Sequence, residues 1–191
     1  MNKPIIYIHG AFSTKQSFNW IVEKLPEHRA YFIEYDARDS VKSVAKRVNT
    51  LVEELGGADI VAHSLGGLVA LLAALDNPLV GRVITISAPM GGSDVAGTLA
   101  WLSPHELYQS LNKMGPVIRK IHSSNISFPL CSIITTSGGS PMISGANDGV
   151  VSVQSQKALT GTRQIEVDLN HFEVLMNNNV VTLIREFLNG A

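Results

Sequence analysis

Cysteine is almost absent from this 191-residue chain. The single thiol, Cys131, can close no internal disulfide, and its place between Leu130 and a Ser-Ile-Ile run reads as a buried strand position, so the fold requires no oxidising compartment. Charge of one sign is missing too. Fifteen basic residues face sixteen acidic ones, for a formal net charge of -1, which leaves neither a nucleic-acid footprint nor a polybasic membrane anchor. No segment reaches the roughly 20 apolar residues of a membrane span. The start, Met1-Asn2-Lys3-Pro4-Ile5-Ile6-Tyr7-Ile8, carries too short an apolar run for a signal peptide and reads as a first strand. The expectation is a cytoplasmic protein, or a secreted one if a leader has been removed. Histidine and cysteine show no zinc spacing, and neither a metal nor an organic cofactor is expected.

What is present is a 45% hydrophobic composition and a length suited to a single domain over residues 1–191. Short apolar runs alternate with helical stretches, the pattern of a parallel sheet covered on both faces. Strands are expected near Pro4 to Ile8, Ala30 to Tyr35, Asp59 to Ala62, Arg82 to Ser87, Leu130 to Thr135 and Arg163 to Val167. Val41, Val44, Ala45, Val48, Leu51, Val52 and Leu55 recur by threes and fours and predict an amphipathic helix. Further helices are expected over Ser17 to Leu25, over Ser64 to Leu75, apolar enough to lie buried, and over Asn178 to Leu188, stopped near Gly190. Pro89 to Pro129 breaks the rhythm and reads as an insertion. Residues of about 91–128 are expected to form a short cap or lid, whose apolar face packs on the domain, lines an acyl pocket, or does both through different residues.

The most informative motif is Ala62-His63-Ser64-Leu65-Gly66-Gly67, at the junction of a strand and an apolar helix. A sharp turn there strains the serine backbone and presents its Oγ at the sheet edge, provided that small residues lie two positions either side, here Ala62 and Gly66. The competing interpretation is a plain serine N-cap on a Gly-rich helix start. A serine hydroxyl is a weak nucleophile, so acyl transfer needs a base and a carboxylate that orients the base. Asp148, in Asn147-Asp148-Gly149-Val150-Val151, and His171, in Asn170-His171-Phe172, follow Ser64 in that order, each behind a strand. Strand ends of this kind gather functional loops in a doubly wound sheet. His9-Gly10-Ala11-Phe12 follows the first strand on the same edge. There the Ala11 N–H can point at a developing oxyanion, with the Leu65 N–H at the helix start as second donor. Asp36 and Asp94 are rival acids, although Asp36 precedes Ser64 and Asp94 lies where a cap would start. His63 and His9 read as structural side chains. His28, His105 and His122 have no matched carboxylate.

With these residues assembled, the chain resembles the α/β-hydrolase superfamily, in particular small lipases and esterases whose nucleophile turn reads Ala-His-Ser-x-Gly-Gly. Ile86-Ser87-Ala88-Pro89-Met90-Gly91-Gly92-Ser93 is also similar to a lipase pattern, with Ala88 where threonine is common and Met90 where histidine is common. The resemblance implies a mostly parallel six-stranded sheet with helices on both faces. It implies Ser64 as nucleophile, His171 as general base and then acid, Asp148 as its orienting carboxylate, and Ala11 and Leu65 as oxyanion donors. The activity implied is hydrolysis of a small-molecule acyl ester through an acyl-enzyme, with short and medium chains handled at least as well as long ones. Phe12, Trp101, Leu102 and Met114 are the candidate substrate-binding residues. The alternatives are a thioesterase or amidase using the same residues, or a non-catalytic relative that binds a ligand.

Overall fold

The computed structural model describes residues 2–36, 38–92 and 110–190. Six strands form one sheet: β1 (Ile5–Ile8), β2 (Ala30–Ile33), β3 (Ala58–His63), β4 (Val80–Ile86), β5 (Leu130–Thr135) and β6 (Arg163–Val167). Their order is β2-β1-β3-β4-β5-β6 and every pairing is parallel. Parallel strands buried on both faces need apolar residues at successive positions. The sequence Ile5-Ile6-Tyr7-Ile8 meets that need, with all of β1 buried. Its alternate side chains enter two different cores: Ile6 and Ile8 on one face, Ile5 and Tyr7 on the other.

On the first face lie α2 (Val41–Glu54) and α3 (Leu65–Asp76), together with α4 (Pro116–Ser123). On the second lie α1 (Asn19–Lys24) and the last helix, α6 (Asn178–Leu188), while a short helix, α5 (Val153–Gln156), precedes β6. Ser40 caps α2 by accepting from the Ser43 N–H at 3.1 Å, and Asn177 caps α6. The stretch expected as one helix over Ser17 to Leu25 divides into a 3-10 turn, Lys15–Phe18, followed by α1. The second strand ends at Ile33, two residues short of the expected Tyr35. Tyr35 instead leaves the sheet to stack on His9, ring centroids 4.4 Å apart.

Helix α3 is apolar all round and buried almost throughout, as a helix enclosed by sheet and neighbouring helices must be. Two glycines let it come that close. A Cβ on Gly66 would collide with the backbone carbonyls of Ile8 and His9, and one on Gly67 with the Ala88 methyl.

Within the expected 91–128 insertion, α4 is a core helix. Pro116 opens it, its Val117, Ile118 and Ile121 join the first core, and Lys120 reaches Asp76 at the end of α3 at 2.8 Å. Trp101, Leu102 and Asp94 lie outside the described residues. Met114, in the turn before α4, is exposed.

Candidate functional site

Ser64 occupies the turn between β3 and α3 with φ 54° and ψ −125°, a left-handed conformation that is costly for a side chain with a Cβ. The turn is held by the Ser64 N–H donating to the Ile86 carbonyl at 2.8 Å and by the Gly67 N–H donating to the Ser64 carbonyl at 2.9 Å. The serine side chain makes no capping bond to the helix. The N-cap alternative therefore does not explain its presence, whereas strain maintained by the surrounding fold fits a functional position.

Gly10 packs directly against this turn. A Cβ built on it would lie 3.0 Å from the Ser64 Cβ and 3.1 Å from His63 Nδ1. The loop after β1, with Ala11 next in chain, is thereby pressed against the serine. The loop is braced from behind. His9 Nδ1–H donates to the Gly10 carbonyl at 2.8 Å, the Tyr35 N–H donates to His9 Nε2 at 3.3 Å, and the Tyr35 hydroxyl donates to the His9 carbonyl at 2.7 Å. Both ring nitrogens of His9 are thus engaged in structure. Leu65 is the first residue of α3, so its N–H is among those a helix cannot satisfy internally.

Asp148 and His171 meet at the ends of β5 and β6. His171 Nδ1–H donates to Asp148 Oδ2 at 2.7 Å, which leaves Nε2 as the ring's acceptor. Both residues are buried. The Val150 and Val151 N–H groups hold Asp148 Oδ1 at 2.9 and 2.7 Å, and this turn is what Gly149, at φ 97°, permits. Burial pushes the Asp148 carboxyl upward. The hydrogen bond and charge of His171, the Thr135 hydroxyl and the Val151 N–H outweigh that effect and hold it below the usual carboxylate value.

His63 links the serine turn to this pair. Its Nε2–H donates to the His171 carbonyl at 2.9 Å and its ring lies 4.7 Å from the His171 ring. Burial, then the neighbouring His171, lower its pKa to about 3, so the ring is neutral with a bare Nδ1. Phe172 sets its ring edge-on to His171 at 5.3 Å and stays largely exposed, as does Phe12. Asp36 is a surface residue paired with Arg38 at 2.8 Å. His122 donates to the Met90 carbonyl and His28 pairs with the Lys3 carbonyl. Among the described residues, no three His, Cys, Asp or Glu side chains gather as a metal-binding group. No described helix is long and apolar enough to cross a membrane.

Three residues of the site were not anticipated as such from the sequence. Thr135 and Gln156 contact the Asp148 oxygen that His171 also uses, and Ser87 contacts the Thr135 hydroxyl. They come from three separate elements, and no local pattern announces their meeting.

A parallel sheet with helices on both faces, a strained serine between strand and helix, and a buried Asp–His pair behind later strands define a hydrolase-type α/β domain. The chain belongs to the alpha/beta hydrolase family, whose profile matches residues 5–128. It is 29% identical over 128 residues to the lysosomal thioesterase PPT2 of Bos taurus, a match covering 59% of this chain and 42% of that protein. It is 30% identical over 97 residues to the sn-1-specific diacylglycerol lipase ABHD11 of Danio rerio, covering 44% of this chain and 31% of that one. The chain thus matches less than half the length of these curated relatives. Among solved structures, the Bacillus licheniformis lipase BlEst2 superposes with a TM-score of 0.73 at 20% identity, over 98% of this chain and 92% of the other. A metagenomic carboxyl esterase, MGS0156, superposes at 0.77 and 14% identity, over 98% and 76%. The relatives are hydrolases with lipase, esterase and thioesterase activities in their names.

Proposed function

We propose that the chain is a serine hydrolase of acyl esters, with Ser64 as nucleophile, His171 as general base and then acid, and Asp148 as the carboxylate that orients it. The observation that carries this reading is the Nδ1–H bond from His171 to Asp148, together with a strained and uncapped Ser64 whose chain neighbour His63 bonds the His171 carbonyl. An imidazole whose Nδ1 proton is committed to a carboxylate must use Nε2 as its base, which is the tautomer that activation of a hydroxyl requires.

In this mechanism His171 takes the Ser64 proton as Oγ attacks the acyl carbonyl. The negative charge on the tetrahedral intermediate is met by the N–H groups of Ala11 and Leu65, each worth roughly 3 kcal/mol in comparable chemistry. His171 then protonates the departing alkoxide, a water is activated by the same nitrogen, and the acyl-enzyme is hydrolysed. Phe12 and Phe172, exposed on loops of the same sheet edge, and Met114, exposed in the turn before α4, are described apolar candidates for receiving the acyl chain.

Thioester hydrolysis is the second reading, favoured by the likeness to PPT2. It uses the same groups with a thiolate as the leaving group. The test is turnover of soluble nitrophenyl esters from short to long acyl chains, and of matching acyl thioesters, by wild type, Ser64→Ala, Asp148→Asn and Asp94→Asn. Ester turnover lost in Ser64→Ala and lowered in Asp148→Asn but not in Asp94→Asn supports the proposed reading. Turnover confined to thioesters favours the second, and turnover indifferent to Ser64 refutes both.

A further inference from the structure

The Asp148 carboxylate is held by more than its histidine. Its two oxygens have different partners: Oδ1 takes the backbone N–H groups of Val150 and Val151, while Oδ2, which binds His171, also faces Gln156 Nε2 at 3.2 Å and Thr135 Oγ1 at 2.6 Å. Gln156 lies in α5 and is fully buried, and every polar atom of its amide is used. Oε1 accepts from the Thr135 N–H at 2.9 Å, one Nε2 proton goes to the Thr135 carbonyl at 3.0 Å, and the other goes to Asp148. The amide can take only this orientation, since flipping it would set oxygen against both a carbonyl and a carboxylate.

Thr135 stands at the end of β5. Its hydroxyl carries one proton, and the anionic Oδ2 at 2.6 Å is the acceptor that claims it. Ser87, 2.8 Å from the same oxygen of Thr135, is then the donor in that contact. Ser87 itself sits just past β4 at φ 53° with no exposure. Like Ser64, it is a non-glycine residue kept in a left-handed conformation, and here the strain sets a buried hydroxyl against the chain of bonds that ends on Asp148.

We propose that Gln156 and Thr135, with Ser87 behind them, are positioning residues that lock the plane of the Asp148 carboxylate and through it the His171 imidazole. This rests on the reading of Asp148 and His171 as the working pair. Strand β5 and helix α5 each contribute one side chain to the carboxylate, and Ser87, just past β4, backs the Thr135 hydroxyl, so the carboxylate is referenced to the sheet. With Oδ1 pinned by backbone and Oδ2 by side chains, it cannot rotate away when His171 becomes cationic. The Thr135 main chain satisfies only Oε1 and one Nε2 proton of Gln156. Its remaining proton is aimed at the oxygen that His171 uses.

The test compares Gln156→Met, Gln156→Glu, Thr135→Val and Thr135→Ser in the full chain, with kcat and KM on a soluble ester, thermal melts, and the low-field proton resonance of His171 Nδ1–H. Gln156→Met and Thr135→Val should lower kcat by roughly 10–100-fold with KM changed by less than about threefold, and should shift or broaden the resonance. Thr135→Ser, which keeps the hydroxyl, should recover most of the rate. Gln156→Glu adds a carboxylate beside the pair and should move the acid limb of the pH profile to higher pH. The other titratable ring facing His171 is His63, from the end of β3, and it is unchanged in all four variants.

Rates within about threefold of wild type in folded Gln156→Met and Thr135→Val, with an unmoved resonance, overturn the proposal. If Gln156→Met does not fold, the Thr135→Val and Thr135→Ser pair decides. Because the resonance is read without substrate, a wild type that turns over no ester refutes the functional reading while the effect of Gln156 on the Asp148–His171 bond is still measured.

Discussion

Asp148 and His171 are joined twice, by side chain and by backbone. His171 Nδ1 lies 2.7 Å from Asp148 Oδ2, and the His171 N–H donates to the Asp148 carbonyl at 3.1 Å. The loops after β5 and β6 are therefore tied together at the point where their side chains meet, and the orientation of the imidazole does not depend on one contact.

Asp148→Asn should keep this backbone tie and lose the tautomer. An Asn amide can present its NH2 to Nδ1 and turn the proton to Nε2, where it blocks base catalysis, so kcat on a soluble ester should fall roughly 10,000-fold with the fold intact. Stability offers a second reading. A carboxyl held below its ordinary value of 3.8 stabilises the fold above that pH and ceases to do so as pH falls through its lowered value. Denaturation below about pH 4 should accordingly be less steep in Asp148→Asn than in wild type.

Ser64 stores backbone strain. Glycine enters the left-handed region freely, so Ser64→Gly should abolish hydrolysis and at the same time stabilise the fold by about 1 kcal/mol, read as a higher Tm. A variant that loses both activity and stability would mean that the serine backbone is at ease in this turn.

His63 should make the protein sensitive to mild acid. Its folded pKa, about 3, lies below the ordinary 6.5, so as pH falls the unfolded chain takes up this proton first and the native state loses stability between those values. From pH 7 to pH 5 the loss amounts to about 2 kcal/mol. His63→Asn can keep a donor to the His171 carbonyl without the titrating ring. Chemical denaturation at the two pH values should show a drop smaller by about that amount, and equal drops would contradict it.

The fold was legible because its signals are local and repeated. Strands β1, β3 and β5 are short, largely apolar runs, and the spacing of Val41, Val44, Val48 and Val52 shows the buried face of α2. The sequence placed Ser64, Asp148 and His171 in segments that follow β3, β5 and β6, and the structure brings Asp148 and His171 into contact. The side-chain support of the Asp148 carboxylate was not legible. Gln156 lies in a four-residue helix with no periodicity, and Thr135 reads as the last residue of an apolar strand; only the closing of β5 against α5 makes them neighbours of Asp148. The place of α4 was left open between core and cap for a related reason. Val117, Ile118 and Ile121 form an apolar stripe that serves a cap or a core equally well, and the packing that chose the core is tertiary.

The most direct test of the account is covalent. Folded wild type, Ser64→Ala and His171→Ala should be treated with an alkyl fluorophosphonate and the adduct located by peptide mass spectrometry. The account predicts one adduct per chain on Ser64, none in Ser64→Ala, and labelling slowed by orders of magnitude in His171→Ala. An adduct elsewhere in the chain, or no adduct on folded wild type, would contradict the assignment of Ser64 as an activated nucleophile.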